Sequence, residues 1–144
     1  MTNTEVFGRY IFDFRNTNSS NEYRISWLKS LASLLKVESA FFTKFLNFNT
    51  RIKENDLNKV SFMYDAEGYV TYANNIRWFG SGALKEHLLA MPGIKIRISY
   101  EEFECYDCFL CRGIFYIKVL ENQVLIEEKF RDIDPEGDFP EYDD

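Results

Sequence analysis

The chain holds one histidine, three cysteines and three prolines among 144 residues, and each scarcity removes a class of chemistry. A lone His87 cannot build a histidine-rich metal centre, and any imidazole acid–base pair must use it. Three thiols is an odd number, which does not close a disulfide framework. The opening "MTNTEVFGRY" lacks a basic start followed by an apolar run. Reduced thiols in a cytoplasmic setting are therefore expected. No run of about 18 apolar residues occurs, so no membrane span is expected. No phosphate-cradling glycine loop is present. The stretch "WFGSGAL" carries glycines at a helix start and reads as a capped helix entry more readily than as an anion site.

What the chain has in quantity is aromatic side chain: 14 phenylalanines and nine tyrosines. With 46% hydrophobic residues and this length, one folded domain with its own core is expected. The net charge of −6 is unevenly placed. Residues 132–144, "DIDPEGDFPEYDD", carry seven carboxylates and no base. Taking those seven from 23 acids leaves 16 against 17 bases, so residues 1–131 are nearly neutral. The expected organisation is an α+β domain over 1–131 and an acidic tail over 132–144. Such a charge balance disfavours non-specific phosphate-backbone binding and suits a protein with a basic surface.

Period-two aromatics in Val6–Phe14 predict a strand. Ser19 and Ser20 are N-cap candidates for an amphipathic helix over Asn21–Lys36, with Tyr23, Trp27, Leu28, Leu31, Leu34 and Leu35 on one face. "SAFFTKFLNFN" reads as a second strand and "TRIKENDLNK" as a charged loop. Val60, Phe62 and Tyr64 alternate ahead of Asp65-Ala66-Glu67-Gly68, which reads as a hairpin turn with a return strand from Tyr69 to Trp78. Ser81 can cap a second helix that carries Leu84, Leu88 and Met91 and stops at Pro92-Gly93. Ile94, Ile96, Ile98 and Tyr100 then mark a clean strand, followed by a hairpin about "LENQ". The expected order is β-α-β-β-β-α-β-β-β. It predicts a mainly antiparallel sheet with two helices on one face, a ferredoxin-like βαββαβ core and a C-terminal hairpin.

The stretch "IRWFGSGALKEHLLAMPGIKIRISYEE" and the glycine-bearing strand pair after it resemble the C-terminal half of plasmid and phage YubB-like ferredoxin-fold domains. Trp78, Pro92, Tyr100, Glu102 and Gly113 are the matching positions, within about 50 residues. Phe79-Gly80-Ser81 stands where those domains carry a proline-rich turn. The resemblance implies a mobile-element setting and no reaction.

"YEEFECYDCFLCRG" gathers all three thiols in a C-x2-C-x2-C run. A structural zinc takes four nitrogen or sulfur ligands, and Cys105, Cys108 and Cys111 supply three. His87 is the remaining candidate, with Glu104 or Asp107 as substitutes. The same thiols also read as a strand end and a turn, since free cysteine packs as a small hydrophobe. A cysteine nucleophile paired with His87 needs an orienting third group, and none is visible. Asp132, Asp134, Glu136, Gly137 and Asp143 fall on calcium-loop positions, but Pro135 and Pro140 interrupt the loop and no exit helix follows. Tyr69, Tyr72, Phe115 and Tyr116, with Lys95, Arg97, Arg112 and Lys118, are the candidates for stacking and neutralising RNA.

The expectation is a non-enzymatic, cofactor-free inhibitor of mobile-element origin that blocks a nucleic-acid-handling host protein by occlusion. Any contact with nucleic acid comes through that partner. The expected contact residues are Glu101, Glu102, Glu104 and Asp107, with Asp132, Asp134, Glu136, Asp138, Phe139 and Tyr142 in the tail. An RNA-binding module and a toxin immunity protein are the alternatives, and a cysteine-dependent enzyme stands behind both.

Overall fold

The computed structural model describes residues 4–38, 42–52, 57–68, 76–104 and 108–133. Six strands form one antiparallel sheet: β1 (Thr4–Asp13), β2 (Phe42–Leu46), β3 (Lys59–Gly68), β4 (Lys95–Glu104), β5 (Cys108–Val119) and β6 (Val124–Asp132). Their order across the sheet is β2-β3-β1-β4-β5-β6, with every neighbouring pair antiparallel. Helix α1 (Asn21–Glu38) follows β1, a single turn α2 (Phe48–Arg51) follows β2, and α3 (Gly82–Leu89) precedes β4 after a 3₁₀ turn at Arg77–Gly80. The α+β class and the antiparallel sheet are as expected.

Alternation sets the core. Val6, Tyr10 and Phe12 of β1, Val60, Phe62, Tyr64 and Ala66 of β3, and Ile96, Ile98 and Tyr100 of β4 point to one face and are buried. Trp27, Leu28, Leu31 and Leu35 of α1 and Leu84 and Leu88 of α3 close over them. Ser20 caps α1, its Oγ accepting from the Tyr23 N–H at 3.2 Å. The two helices are latched reciprocally. Trp27 Nε1 donates to the His87 carbonyl at 2.9 Å and His87 Nε2 donates to the Trp27 carbonyl at 2.8 Å, with the rings stacked 5.0 Å apart. At the end of α3, Pro92-Gly93 makes a turn in which Gly93 adopts φ 93° and the Ile94 N–H reaches the Met91 carbonyl.

Two glycines let tyrosine rings lie across the sheet. Gly8 of β1 stands opposite Tyr64 of β3, and Gly113 of β5 stands opposite Tyr100 of β4. A Cβ on Gly8 would come 1.8 Å from the Ser99 carbonyl oxygen and 2.8 Å from Tyr64 Cε1. A Cβ on Gly113 would come 2.6 Å from the Tyr100 hydroxyl. The Tyr64 ring passes over Gly8 and its hydroxyl donates to the Ser99 carbonyl of β4 at 3.1 Å, so one side chain ties three strands together.

Three expectations are corrected. Asp65-Ala66-Glu67-Gly68 is not a turn: it continues β3, pairing in order with Phe7, Val6, Glu5 and Thr4 of β1. Ala66 is buried in the core phase that Val60, Phe62 and Tyr64 begin, and that packing overrides the turn preference of the four residues. Trp78 sits in the 3₁₀ turn rather than on a return strand; Tyr69 to Asn75 lie outside the described residues. The second strand stops at Leu46, where Asn47 takes a left-handed conformation (φ 65°) and the chain turns into α2.

Candidate functional site: the open face of the sheet

The helices cover one face of the sheet. The pairing register lays out the other face row by row, because every second residue of each strand belongs to it. At one end Lys59, Asp13, Lys95 and Lys118 lie side by side on β3, β1, β4 and β5. Ile11, Arg97 and Tyr116 form the next row. Met63, Arg9 and Ser99 cross the middle, with Leu46 of β2 beside Met63. Asp65, Phe7, Glu101 and Arg112 follow. Glu67, Glu5 and Phe103 close the far end. The face therefore runs from a basic end, through a mixed middle, to an end rich in carboxylates, where Lys44 of β2 stands opposite Asp65.

The apolar residues are left in water. Phe7 is 45% exposed, Met63 44% and Leu46 43%. Phe7 meets Phe103 edge to face at 6.1 Å. Phe7, Arg9, Met63, Ser99, Glu101 and Phe103 line a depression of about 470 Å³ with Gly8 and Tyr100 at its floor.

The charges at the two ends differ in how they are satisfied. Asp13 is held by Arg15 through an ion pair of 2.7 Å, which drops its carboxyl below the usual range. Arg112 is buried and pairs with Asp132 at 3.3 Å. Arg9 donates to the Ser61 hydroxyl at 2.8 Å. By contrast, Arg97 Nε near the basic end and Glu5 Oε2 at the acidic end are covered atoms without a hydrogen-bond partner. The Glu5 carboxyl is pushed up by its own burial and then by the negative charges of Asp65 and Glu67.

The carboxylates expected to act together are divided by the strand. Glu101 is exposed on the open face. Glu102 is 0% exposed on the core face, so it cannot reach a partner and its assignment as a contact residue is withdrawn. Glu104 shares the phase of Glu102 and is half-buried. Asp132 ends β6 against Arg112. Asp107, Asp134, Glu136, Asp138, Phe139, Tyr142 and Cys105 lie outside the described residues. Cys108 opens β5 opposite Glu104.

The thiol and the imidazole do not come together. Cys111 is buried on the core face, and its thiol is pushed up by that burial and then by Glu102, the opposite of an activated thiolate. His87 spends Nε2 on the Trp27 carbonyl at the α1–α3 contact. Among the described residues no group of three histidine, cysteine or carboxylate side chains is placed to hold a metal ion. Phe115 points into the core, Tyr116 is on the open face, and Tyr69 and Tyr72 lie outside the described residues. Of the expected bases, Lys95, Arg97 and Lys118 gather on the open face, while Arg112 is already paired.

The acidic end of this face was missed from sequence: Glu5, Asp65 and Glu67, with Phe7 and Met63 beside them. The signal was Phe7 and Ile11, apolar residues in the phase opposite to Tyr10 and Phe12.

No protein-family model matches the chain, and comparisons with curated proteins and with solved structures yield no match. Among the described residues no helix is long and apolar enough to cross a membrane.

Proposed function

We propose that the chain is a non-enzymatic binding protein that docks a basic protein surface against the acidic half of its open sheet face. The observation that carries this reading is the exposed Phe7–Met63–Leu46 patch bordered by Glu5, Asp65, Glu67 and Glu101. Apolar anchors supply burial and the surrounding carboxylates supply register and encounter rate. Covering the partner's basic surface would exclude whatever phosphates it otherwise binds, which is inhibition by occlusion. The sequence resemblance to YubB-like domains favours a mobile-element protein acting on a nucleic-acid-handling host protein in the cytoplasm. The same resemblance, with the strand order β2-β3-β1-β4 and crossovers through α1 and α3, supports a ferredoxin-like βαββαβ core extended by β5 and β6.

The test is affinity capture from host lysate with matched variants. Wild type should recover one stoichiometric protein, and Phe7→Ala with Glu101→Lys should lose it while keeping the wild-type melting temperature. Recovery that is indifferent to both substitutions would exclude this face. A second reading, RNA on the basic end, is favoured by Lys59, Lys95, Arg97 and Lys118 beside Tyr116. Salt-dependent binding of single-stranded RNA, lost in Arg97→Ala and Tyr116→Ala, would establish it in place of the first.

A further inference from the structure

The two charged ends of the open face are complementary to each other. A two-fold axis parallel to the sheet, above its open face and perpendicular to the strands sets a second copy face to face with strand direction reversed. Each strand then lies over its own equivalent, and the basic end of one copy covers the acidic end of the other. The register gives the facing pairs. Lys59 of β3 meets Glu67 of the second copy, Arg97 of β4 meets Glu101, and Ile11 of β1 meets Phe7. Met63, Arg9 and Ser99 of the central row each face their own equivalents, the Arg9 side chains being held toward Ser61 within each copy. Asp13 falls opposite Glu5, but Asp13 is already held by Arg15, and its cross-strand neighbours Lys59 and Lys95 flank the incoming Glu5. The Arg97 guanidinium, whose Nε lacks a hydrogen-bond partner, is thereby brought to the Glu101 carboxylate of the second copy.

We propose that a second copy of this chain is an occupant of the open face, giving a reversible, isologous, face-to-face dimer. The inference rests on reading this face as a protein-docking surface, and it adds that the chain's own basic end is one of the surfaces it accepts. Four strands about 4.8 Å apart and about 27 Å long offer roughly 500 Å² per copy, close to 1,000 Å² in total. That lies at the lower limit of specific interfaces. The dimer is therefore concentration-dependent and, being steered by charge at its two ends, weakened by salt. A basic host protein bound at the acidic end would displace the second copy, so the two occupants compete.

Sedimentation velocity on the full chain tests this. In low salt the mass should rise with concentration from 17.1 kDa toward twice that value, and fall back when salt is added. Reversing the acidic end (Glu5→Lys, Glu67→Lys, Glu101→Lys) or the basic end (Lys59→Glu, Lys95→Glu, Arg97→Glu) should each give a monomer. An equimolar mixture of the two reversed proteins should associate, because one face is then all basic and the other all acidic. If a triple variant fails to fold, the single exposed changes Lys59→Glu and Glu67→Lys serve the same comparison. A wild type that stays monomeric at every concentration, or reversed variants that do not associate on mixing, would overturn the proposal. Lys59→Glu separates it from the functional reading: it should weaken the dimer and leave capture of a basic partner intact.

Discussion

Replacing Gly8 by alanine probes the tyrosine-over-glycine arrangement directly. The new methyl would sit 1.8 Å from the Ser99 carbonyl oxygen, a backbone atom that cannot swing aside, and 2.8 Å from the Tyr64 ring. Relieving the contact means pushing β1 from β4 or lifting the ring, and the second route also breaks the Tyr64–Ser99 hydrogen bond. Forcing a carbon into packed space costs about 1–3 kcal/mol. Losing the hydrogen bond costs about 1 kcal/mol. Stiffening the unfolded chain returns about 0.5 kcal/mol. The net is a loss of roughly 1.5–3.5 kcal/mol, which lowers the melting temperature by about 5–10 °C for a chain of this length. Gly80→Ala is the control, since its Cβ meets only Ile126 Cδ1 at an ordinary 3.5 Å. Thermal melts followed by circular dichroism, with urea titration for the free energies, read the difference. Adding Tyr64→Leu to Gly8→Ala should recover part of the loss relative to the two single changes summed. A Gly8→Ala protein that melts no lower than Gly80→Ala would refute the reasoning.

Other outcomes follow from the same geometry. Burial disfavours the charged His87 ring, so the unfolded chain takes up that proton first. The stability His87 contributes is complete above its ordinary pKa of about 6.5 and declines as pH falls below it, and His87→Gln should flatten that part of a pH–stability curve. Asp13 acts in a lower window. The Arg15 hydrogen bond holds its carboxyl down, so its contribution is present above about pH 4 and lost on further acidification. Asp13→Asn should remove that acid limb alone. Phe62 is fully buried, with ring centroids 6.0 Å from Phe12 and 5.0 Å from Phe48, and Phe62→Ala should cost about 3–5 kcal/mol by urea unfolding.

Regular periodicity was legible where nothing competed with it. Ile94, Ile96, Ile98 and Tyr100 announced β4, the spacing from Trp27 to Leu35 announced α1, and the "LENQ" turn lies where Leu120 N–H meets the Gln123 carbonyl. Turn-forming composition misled at Asp65–Gly68, where two further steps of period two would have carried Ala66 and Gly68 into the strand. Glu102 was misplaced by counting carboxylates as a cluster; alternation from Tyr100 already put it on the core face. Arg24 was overlooked for the reverse reason. It is charged, yet it shares the helix face of Trp27, Leu28 and Leu31. It is buried against Phe14 with its guanidinium donating to the Leu57 and Phe14 carbonyls. The ion-bearing face of the sheet was not readable in advance, because its two ends are assembled from β1, β3, β4 and β5, whose registers no local pattern specifies.

The position of β1 bears on synthesis. It is the earliest of the described strands to leave the ribosome, yet it lies between β3 and β4, and β4 ends at Glu104. Roughly 90 further residues must emerge before both its edges are paired, which takes about 5–20 s at cellular translation rates. Through that interval "VFGRYIFDF" is an aromatic strand with unmet backbone partners. The nascent chain therefore needs shelter at its beginning, and rare codons placed before β4 would lengthen its exposure.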